Sequence, residues 1–138
     1  MQVITVIASG YFDPLHIGHI EYLEAASKLG NRLIVIVNND NQAELKKGQS
    51  FMHEDDRMRI VDALACVDEV YLATDNDASV CQSIKELWEI GPVEIFAKGG
   101  DRFAPEIPEV KMCKELKIDI VDGLGEKIRS SSDYTGLK

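Results

Sequence analysis

Hydrophobic and polar positions along this chain fall into two alternating kinds of block. Residues 3–8 and 32–37 are continuous, β-branched apolar runs, the pattern of strands covered on both faces, and residues 93–97 (Val-Glu-Ile-Phe-Ala) read as a further strand. Residues 67–73 form a shorter run with partial alternation, and residues 117–121 complete five predicted strands. Between them apolar residues recur at helical spacing. Ile20, Leu23, Ala26 and Leu29 stop at Gly30; Met58, Val61, Leu64 and Ala65 mark a helix over 54–64. Val80, Ile84, Leu87 and Trp88 mark another over 78–89, closed by Gly91-Pro92. A short helix is expected over about 108–116 and a terminal one through Tyr134 and Leu137, whereas residues 42–51 read as a polar loop. Strand and helix alternate throughout, beginning with a βαβ unit whose crossover should be right-handed. The prediction is an α/β fold: one Rossmann-like, doubly wound, five-stranded parallel sheet with helices on both faces, residues 1–138 forming a single domain.

The connection between the first strand and the first helix is the most informative stretch. It reads Ser9-Gly10-Tyr11-Phe12-Asp13-Pro14-Leu15-His16-Ile17-Gly18-His19. An open α/β sheet presents its ligand site at such a junction. Gly10 lets backbone come close to a ligand, and Pro14 is tolerated near a helix start but not inside one. A helix beginning near His16 aims free amides and its positive dipole end above the strand tip, which suits phosphate. His16 and His19 are three apart and project from one side of the first turn. The chain has three histidines, so two of them share this turn. Ordinary surface or core histidines would need no ligand. A zinc site would need further ligands, yet Cys66, Cys81 and Cys113 are single and widely spaced. A dinucleotide fold would need Gly-x-Gly-x-x-Gly after the first strand, which is absent.

Composition sharpens the chemistry. A formal net charge of −9 argues against general nucleic-acid binding, so an anionic substrate must be drawn in by a local cluster of positive groups. His16, His19, Lys46, Lys47, Arg57, Lys98, Arg102, Lys127 and Arg129 all fall at strand ends or helix starts, where they can converge on one cleft. Lys98-Gly99-Gly100-Asp101-Arg102 follows the fourth strand and offers bare amides beside two cations. Lys127, Arg129 and the triplet Ser130-Ser131-Ser132 make an anion-binding helix start, though serines also serve simply as caps. No apolar run approaches bilayer length, no basic leader precedes the first strand, and three unpaired cysteines suit reduced thiols, so a cytoplasmic protein without membrane partners is expected.

Gly10-Tyr11-Phe12-Asp13-Pro14-Leu15-His16-Ile17-Gly18-His19 resembles the Gly-x-Phe-Asp-x-x-His-x-Gly-His signature of the nucleotidylyltransferase superfamily. That superfamily includes cytidylyltransferases, phosphopantetheine adenylyltransferase and the domain that makes ADP-heptose. Lys47-Gly48 and Lys98-Gly99-Gly100-Asp101 are similar to the ADP-heptose type, and Ser130-Ser131-Ser132 matches the motif that binds nucleotide phosphates. Glycerol-3-phosphate cytidylyltransferases carry Arg-Thr-Glu-Gly before that last motif; here Gly125-Glu126-Lys127-Ile128 stands instead, leaving Lys127 or Arg129 as substitutes for the Arg.

The resemblance implies transfer of a nucleoside monophosphate from a nucleoside triphosphate to a phosphorylated acceptor, with release of pyrophosphate. It implies His19 on the α-phosphate, His16 on the β/γ side, and Lys47 on the acceptor phosphate and transferring group. Lys46 and Arg57 would contact the acceptor. Gly10, Tyr11, Phe12, Asp13, Gly18, Lys98, Gly99, Gly100 and Asp101 would surround the nucleotide, and Arg129, Ser130 and Ser131 its terminal phosphates. Mg²⁺ would ride on the triphosphate, with Asp13 either completing its shell or ordering the loop. ATP with a sugar phosphate is the favoured pair, and CTP with a polyol phosphate the second. A nucleotide-binding regulator without turnover is the reading from another class; groups aimed at a transition state speak against it. Dimers are common among such proteins, which makes a homodimer a partner to test.

Overall fold

A computed structural model describes residues 3–99 and 107–124. The chain runs β1 (Thr5–Gly10), α1 (Ile17–Ser27), β2 (Arg32–Val37), α2 (Asp40–Lys47), α3 (Glu54–Asp62), β3 (Glu69–Leu72), α4 (Cys81–Ile90), β4 (Ile95–Gly99), α5 (Ile107–Leu116) and β5 (Asp119–Leu124). The five strands form one parallel sheet in the order β3-β2-β1-β4-β5. The predicted architecture is therefore the observed one. The terminal helix expected through Tyr134 and Leu137 lies outside the described residues.

Alternate residues of each strand feed opposite cores, as the two-residue period of a strand requires. Val6, Ala8, Leu33, Val35, Val37 and Ala97 pack with Tyr22, Leu23 and Ala26 of α1 and Val61 of α3. Ile7, Ile34, Ile36 and Phe96 pack with Ile84 and Leu87 of α4 and Cys113 of α5. The sheet is thus buried on both sides, which is why β1 and β2 read as unbroken apolar runs.

Two expectations are corrected. Residues 42–51 are not simply a loop, because α2 occupies their first half. Asn39 caps it by accepting from Gln42 N at 2.8 Å, Gln42 Oε1 accepts from Asn39 N at 3.0 Å, and Gly48 ends it. Lys98 and Gly99 do not follow the fourth strand but are the last residues of β4, and Lys98 is buried.

Winding outward from β1, the chain goes first to β2 and β3, then returns across the sheet through α4 to β4 and β5. The direction reverses between β1 and β4. A crevice at the carboxyl ends of these strands is where open α/β sheets bind ligands.

Candidate functional site

The turn joining β1 to α1 is built by short-range packing. Gly10 leaves room for an aromatic ring: a Cβ there would lie 2.8 Å from Phe12 Cζ. Phe12, buried and at φ 52°, turns back over β1, and its ring meets the His19 ring edge-on with centroids 5.1 Å apart. Aromatic edge-to-face contact of this kind fixes ring orientation.

The two histidines act first as helix caps. His16 occupies the N-cap position, and its Nδ1 accepts from Gly18 N at 3.0 Å. His19, three residues on, returns the bond: its Nδ1 accepts from His16 N at 3.1 Å. This is the capping-box arrangement with imidazoles in place of hydroxyl and carboxylate. The rings stack with centroids 4.0 Å apart and planes 29° from parallel. An Nδ1 that accepts a backbone N–H cannot hold the ring proton, so the hydrogen bonds assign it to Nε2 on both residues. Each ring can therefore act as a donor on the edge opposite its capping bond.

A second layer holds this turn from beneath. Asp13 is buried, and its carboxylate oxygens accept from Phe51 N at 2.9 Å and Met52 N at 2.7 Å. It clamps the α2–α3 loop to the β1–α1 turn. Arg57, expected on substrate, is fully buried and serves the same junction from the other direction. Its guanidinium donates to Met52 O at 3.0 Å, Tyr11 O at 2.8 Å, Asn38 O at 2.6 Å and Asp40 Oδ1 at 2.7 Å. One side chain therefore ties together the loops after β1, after β2 and after α2. In this structure Arg57 orders the site from below and does not line the cleft.

Burial alone would raise the Asp40 carboxyl, but the Arg57 guanidinium and hydrogen bonds from the Glu54 backbone amide and His53 hold it below its ordinary value. A depressed folded-state value contributes stability that is present above the unfolded value and lost as pH falls through the folded one. The Asp40→Asn variant should accordingly lose less stability than the parent between about pH 5 and pH 3, read from melting temperatures across that range.

Of the lysines, Lys46 is exposed on α2 with its Nζ 4.5 Å from the centroid of the Tyr11 ring. That contact parks an ammonium beside the β1–α1 turn, and its aromatic partner holds it there by cation–π attraction. Burial and the Glu109 carboxylate push the Tyr11 phenol upward, so it stays a neutral ring at ordinary pH. Lys47 closes α2, and its side chain lies outside what the structure describes. Burial likewise pushes the Cys113 thiol up to about 12 and the Cys81 thiol upward, which leaves both poor nucleophiles.

Across the crevice, Gly99 ends β4 against the ring of Tyr22, where a Cβ would stand 2.5 Å from Cδ1. The Tyr22 hydroxyl donates to Ala97 O at 2.6 Å and accepts from Ser9 N at 3.2 Å. Nothing in sequence reasoning singled out Tyr22, which sits on the apolar stripe of α1 and looks like core. Asn38 and Asp40, in the polar run Asn38-Asn39-Asp40-Asn41 after β2, look in sequence like nothing more than turn formers. Gly100, Asp101, Arg102, Lys127, Arg129, Ser130 and Ser131 lie outside the described residues. Among the described residues, no group of three or more His, Cys, Asp or Glu stands together as a metal cage, and no helix is long and apolar enough to cross a membrane.

Comparison with known proteins identifies the family and the fold. Residues 7–134 match the family model described as cytidylyltransferase-like. The bifunctional protein HldE of Streptomyces coelicolor is 38% identical over 112 residues, covering 80% of this chain but 23% of that protein. The FAD synthase of Picrophilus torridus is 33% identical over 131 residues, covering 95% of this chain and 86% of that one. The chain thus spans about a quarter of its HldE relatives and most of the length of this synthase. Among solved structures, the lipopolysaccharide core biosynthesis protein from Thermoplasma volcanium superposes with a TM-score of 0.73 at 26% identity, over 90% of this chain and 98% of that one. With its signature turn, switch-point crevice and near full-length family match, the chain belongs to the cytidylyltransferase-like family of nucleotidyltransferases.

Proposed function

We propose that this protein transfers an adenylyl group from ATP to a phosphorylated small molecule, a sugar phosphate in the favoured case, and releases pyrophosphate. The observation that carries this reading is the imidazole pair. Both Nδ1 atoms are spent on backbone amides, so both Nε2–H groups are donors at the start of α1, beside the switch point.

The acceptor phosphate oxygen is already ionised and needs no general base. It attacks the α-phosphorus in line, its new P–O bond forming as the bond from the α-phosphorus to the bridging oxygen breaks. The electron pair leaves with pyrophosphate. What the protein must supply is alignment and donors for the negative charge that grows on the α-phosphate oxygens and the leaving group. His19 serves the α-phosphate and His16 the β/γ side. Lys47, with Lys46, holds the acceptor phosphate, and Ser130, Ser131 and Arg129 hold the outer phosphates. Phe12, Gly99, Gly100 and Asp101 frame the nucleoside. Mg²⁺ arrives as part of the nucleotide substrate. Since both Asp13 oxygens already accept backbone amides, Asp13 works as a loop clamp. The Asp13→Asn variant should then lower turnover about tenfold or more through a loosened loop, leaving the Mg²⁺ concentration for half-maximal rate unchanged. A shifted Mg²⁺ requirement would return Asp13 to the metal.

Adenylyl transfer is favoured by the ADP-heptose-type resemblance of Lys47-Gly48 and of residues 98–101, and by relatives that make FAD, itself an adenine dinucleotide. The sugar phosphate is favoured by the HldE relatives and by the likeness to a lipopolysaccharide core biosynthesis protein. The FAD synthase relatives support flavin mononucleotide as the second acceptor. The test is pyrophosphate release with Mg²⁺, each of four nucleoside triphosphates, and a panel of sugar 1-phosphates, flavin mononucleotide and glycerol 3-phosphate. ATP turnover with a sugar 1-phosphate supports the reading. CTP turnover with glycerol 3-phosphate replaces it with a cytidylyltransferase. Nucleotide binding with no release across the panel favours a regulator.

A further inference from the structure

The two strands that flank the crevice part in an unusual way. β1 and β4 pair through Val6↔Ile95 and Ile7↔Phe96. Just beyond, the Tyr22 hydroxyl stands between them, donating to Ala97 O at 2.6 Å and accepting from Ser9 N at 3.2 Å. A direct ladder bond would hold N and O about 2.9 Å apart. An oxygen inserted in series holds them farther apart while keeping both backbone groups satisfied, so the ladder opens without leaving an orphaned polar atom. The ring below the hydroxyl fills the space under Gly99, where no side chain fits.

We infer that Tyr22 is a positioning residue for the nucleotide: a wedge that sets the spacing of the β1 and β4 tips, and so the width of the crevice. The inference rests on the nucleotidyl-transfer reading above. Tyr22 lies one helical turn after His19 on α1. The same rigid helix therefore carries the two imidazoles at its start and, through Tyr22, grips β4 on the far side of the crevice. Phosphate donors and nucleoside wall are held in one register by one element. The two hydrogen bonds of the Tyr22 hydroxyl run to β1 and β4, whereas α2 and its lysines border the acceptor side.

Steady-state kinetics of the Tyr22→Phe variant test this, because the ring and its packing remain while the bridge goes. The KM for the nucleoside triphosphate should rise about ten- to a hundredfold, the range expected for leaving buried backbone groups unpaired. The KM for the acceptor should stay put, and kcat should change less than about threefold. A KM for nucleotide that does not move, or one that rises together with the KM for acceptor as general loosening would make it, overturns the inference. If Tyr22→Phe does not fold, the Ser9 amide of the wild-type protein carries the test by NMR. Titration with α,β-methylene-ATP should shift its resonance and slow its exchange, and the acceptor alone should not; an indifferent Ser9 amide overturns the wedge. A wild-type protein that neither binds nor turns over any nucleoside triphosphate overturns the underlying reading, and the inference with it.

Discussion

Replacing His19 by Gln should lower pyrophosphate release about 10²–10³-fold with little loss of stability, while His19→Ala loses the same activity and stability besides. The two variants separate the two jobs of one side chain. His19 Nδ1 accepts from His16 N and closes the capping box; Nε2–H is the donor proposed for the α-phosphate. Glutamine is the ordinary residue at the third position of a capping box, and its Oε1 can take over the bond from His16 N. It cannot place an N–H where the far edge of a stacked imidazole places one. Alanine supplies neither, so it should cost about 1 kcal/mol as a lost cap. Because the donor acts on charge that develops during transfer, the loss should fall on kcat, with the KM for nucleotide changing little. Thermal melts of both variants, run beside the release assay, check it. A His19→Gln enzyme with full turnover would reduce His19 to a cap and sink the proposed mechanism.

The same residue shows how far the sequence could be read. The signature turn was legible because its residues act on neighbours: Gly10 makes room for Phe12, Phe12 braces His19, and the two histidines cap the helix they begin. β1 and β2 were legible because strands covered on both faces leave unbroken apolar runs. α2 was missed because it has almost no apolar stripe. Its buried positions are Gln42 and Ala43, and Gln42 is held by hydrogen bonds to Asn38, Asn39, Asp77 O and Ser79 O. The capping residues Asn39, Gln42 and Gly48 were the available signal, and hydrophobic periodicity outvoted them. Lys98 reads as lying beyond the fourth strand because Gly-Gly follows it, yet β4 runs on through Gly99 to meet β5. Arg57 and Tyr22 were illegible for a deeper reason: their roles depend on partners 46, 19 and 75 residues away in the chain, which only the tertiary fold brings together.

Arg57 is where the largest effect on stability is expected. Arg57→Met should destabilise the protein by about 3–5 kcal/mol, the cost of breaking a buried charge network by removing one partner. Methionine fills most of the volume but leaves Tyr11 O, Asn38 O and Met52 O without their donor, and strips Asp40 of the cation that offsets its burial. For a domain of this size, that is a fall in Tm of roughly 10–20 °C. Arg57→Lys should recover only part of it, because one ammonium cannot reproduce the planar fork that reaches three carbonyls and a carboxylate at once. The comparison also decides between ordering the loops and holding substrate. An acceptor-binding arginine would raise the KM for acceptor and leave Tm alone, whereas a buried tie between loops lowers Tm first. Asp13 supplies the check on the assignment. It clamps the same α2–α3 loop through Phe51 N and Met52 N, one residue of which also accepts from Arg57 through its carbonyl. Once either tie is cut the loop is already loosened, so the stability losses of Arg57→Met and Asp13→Ala should sum to more than the double variant shows. Additive losses would mean that the two residues hold separate parts of the structure, and that the turn bearing the histidines does not depend on the loop beneath it.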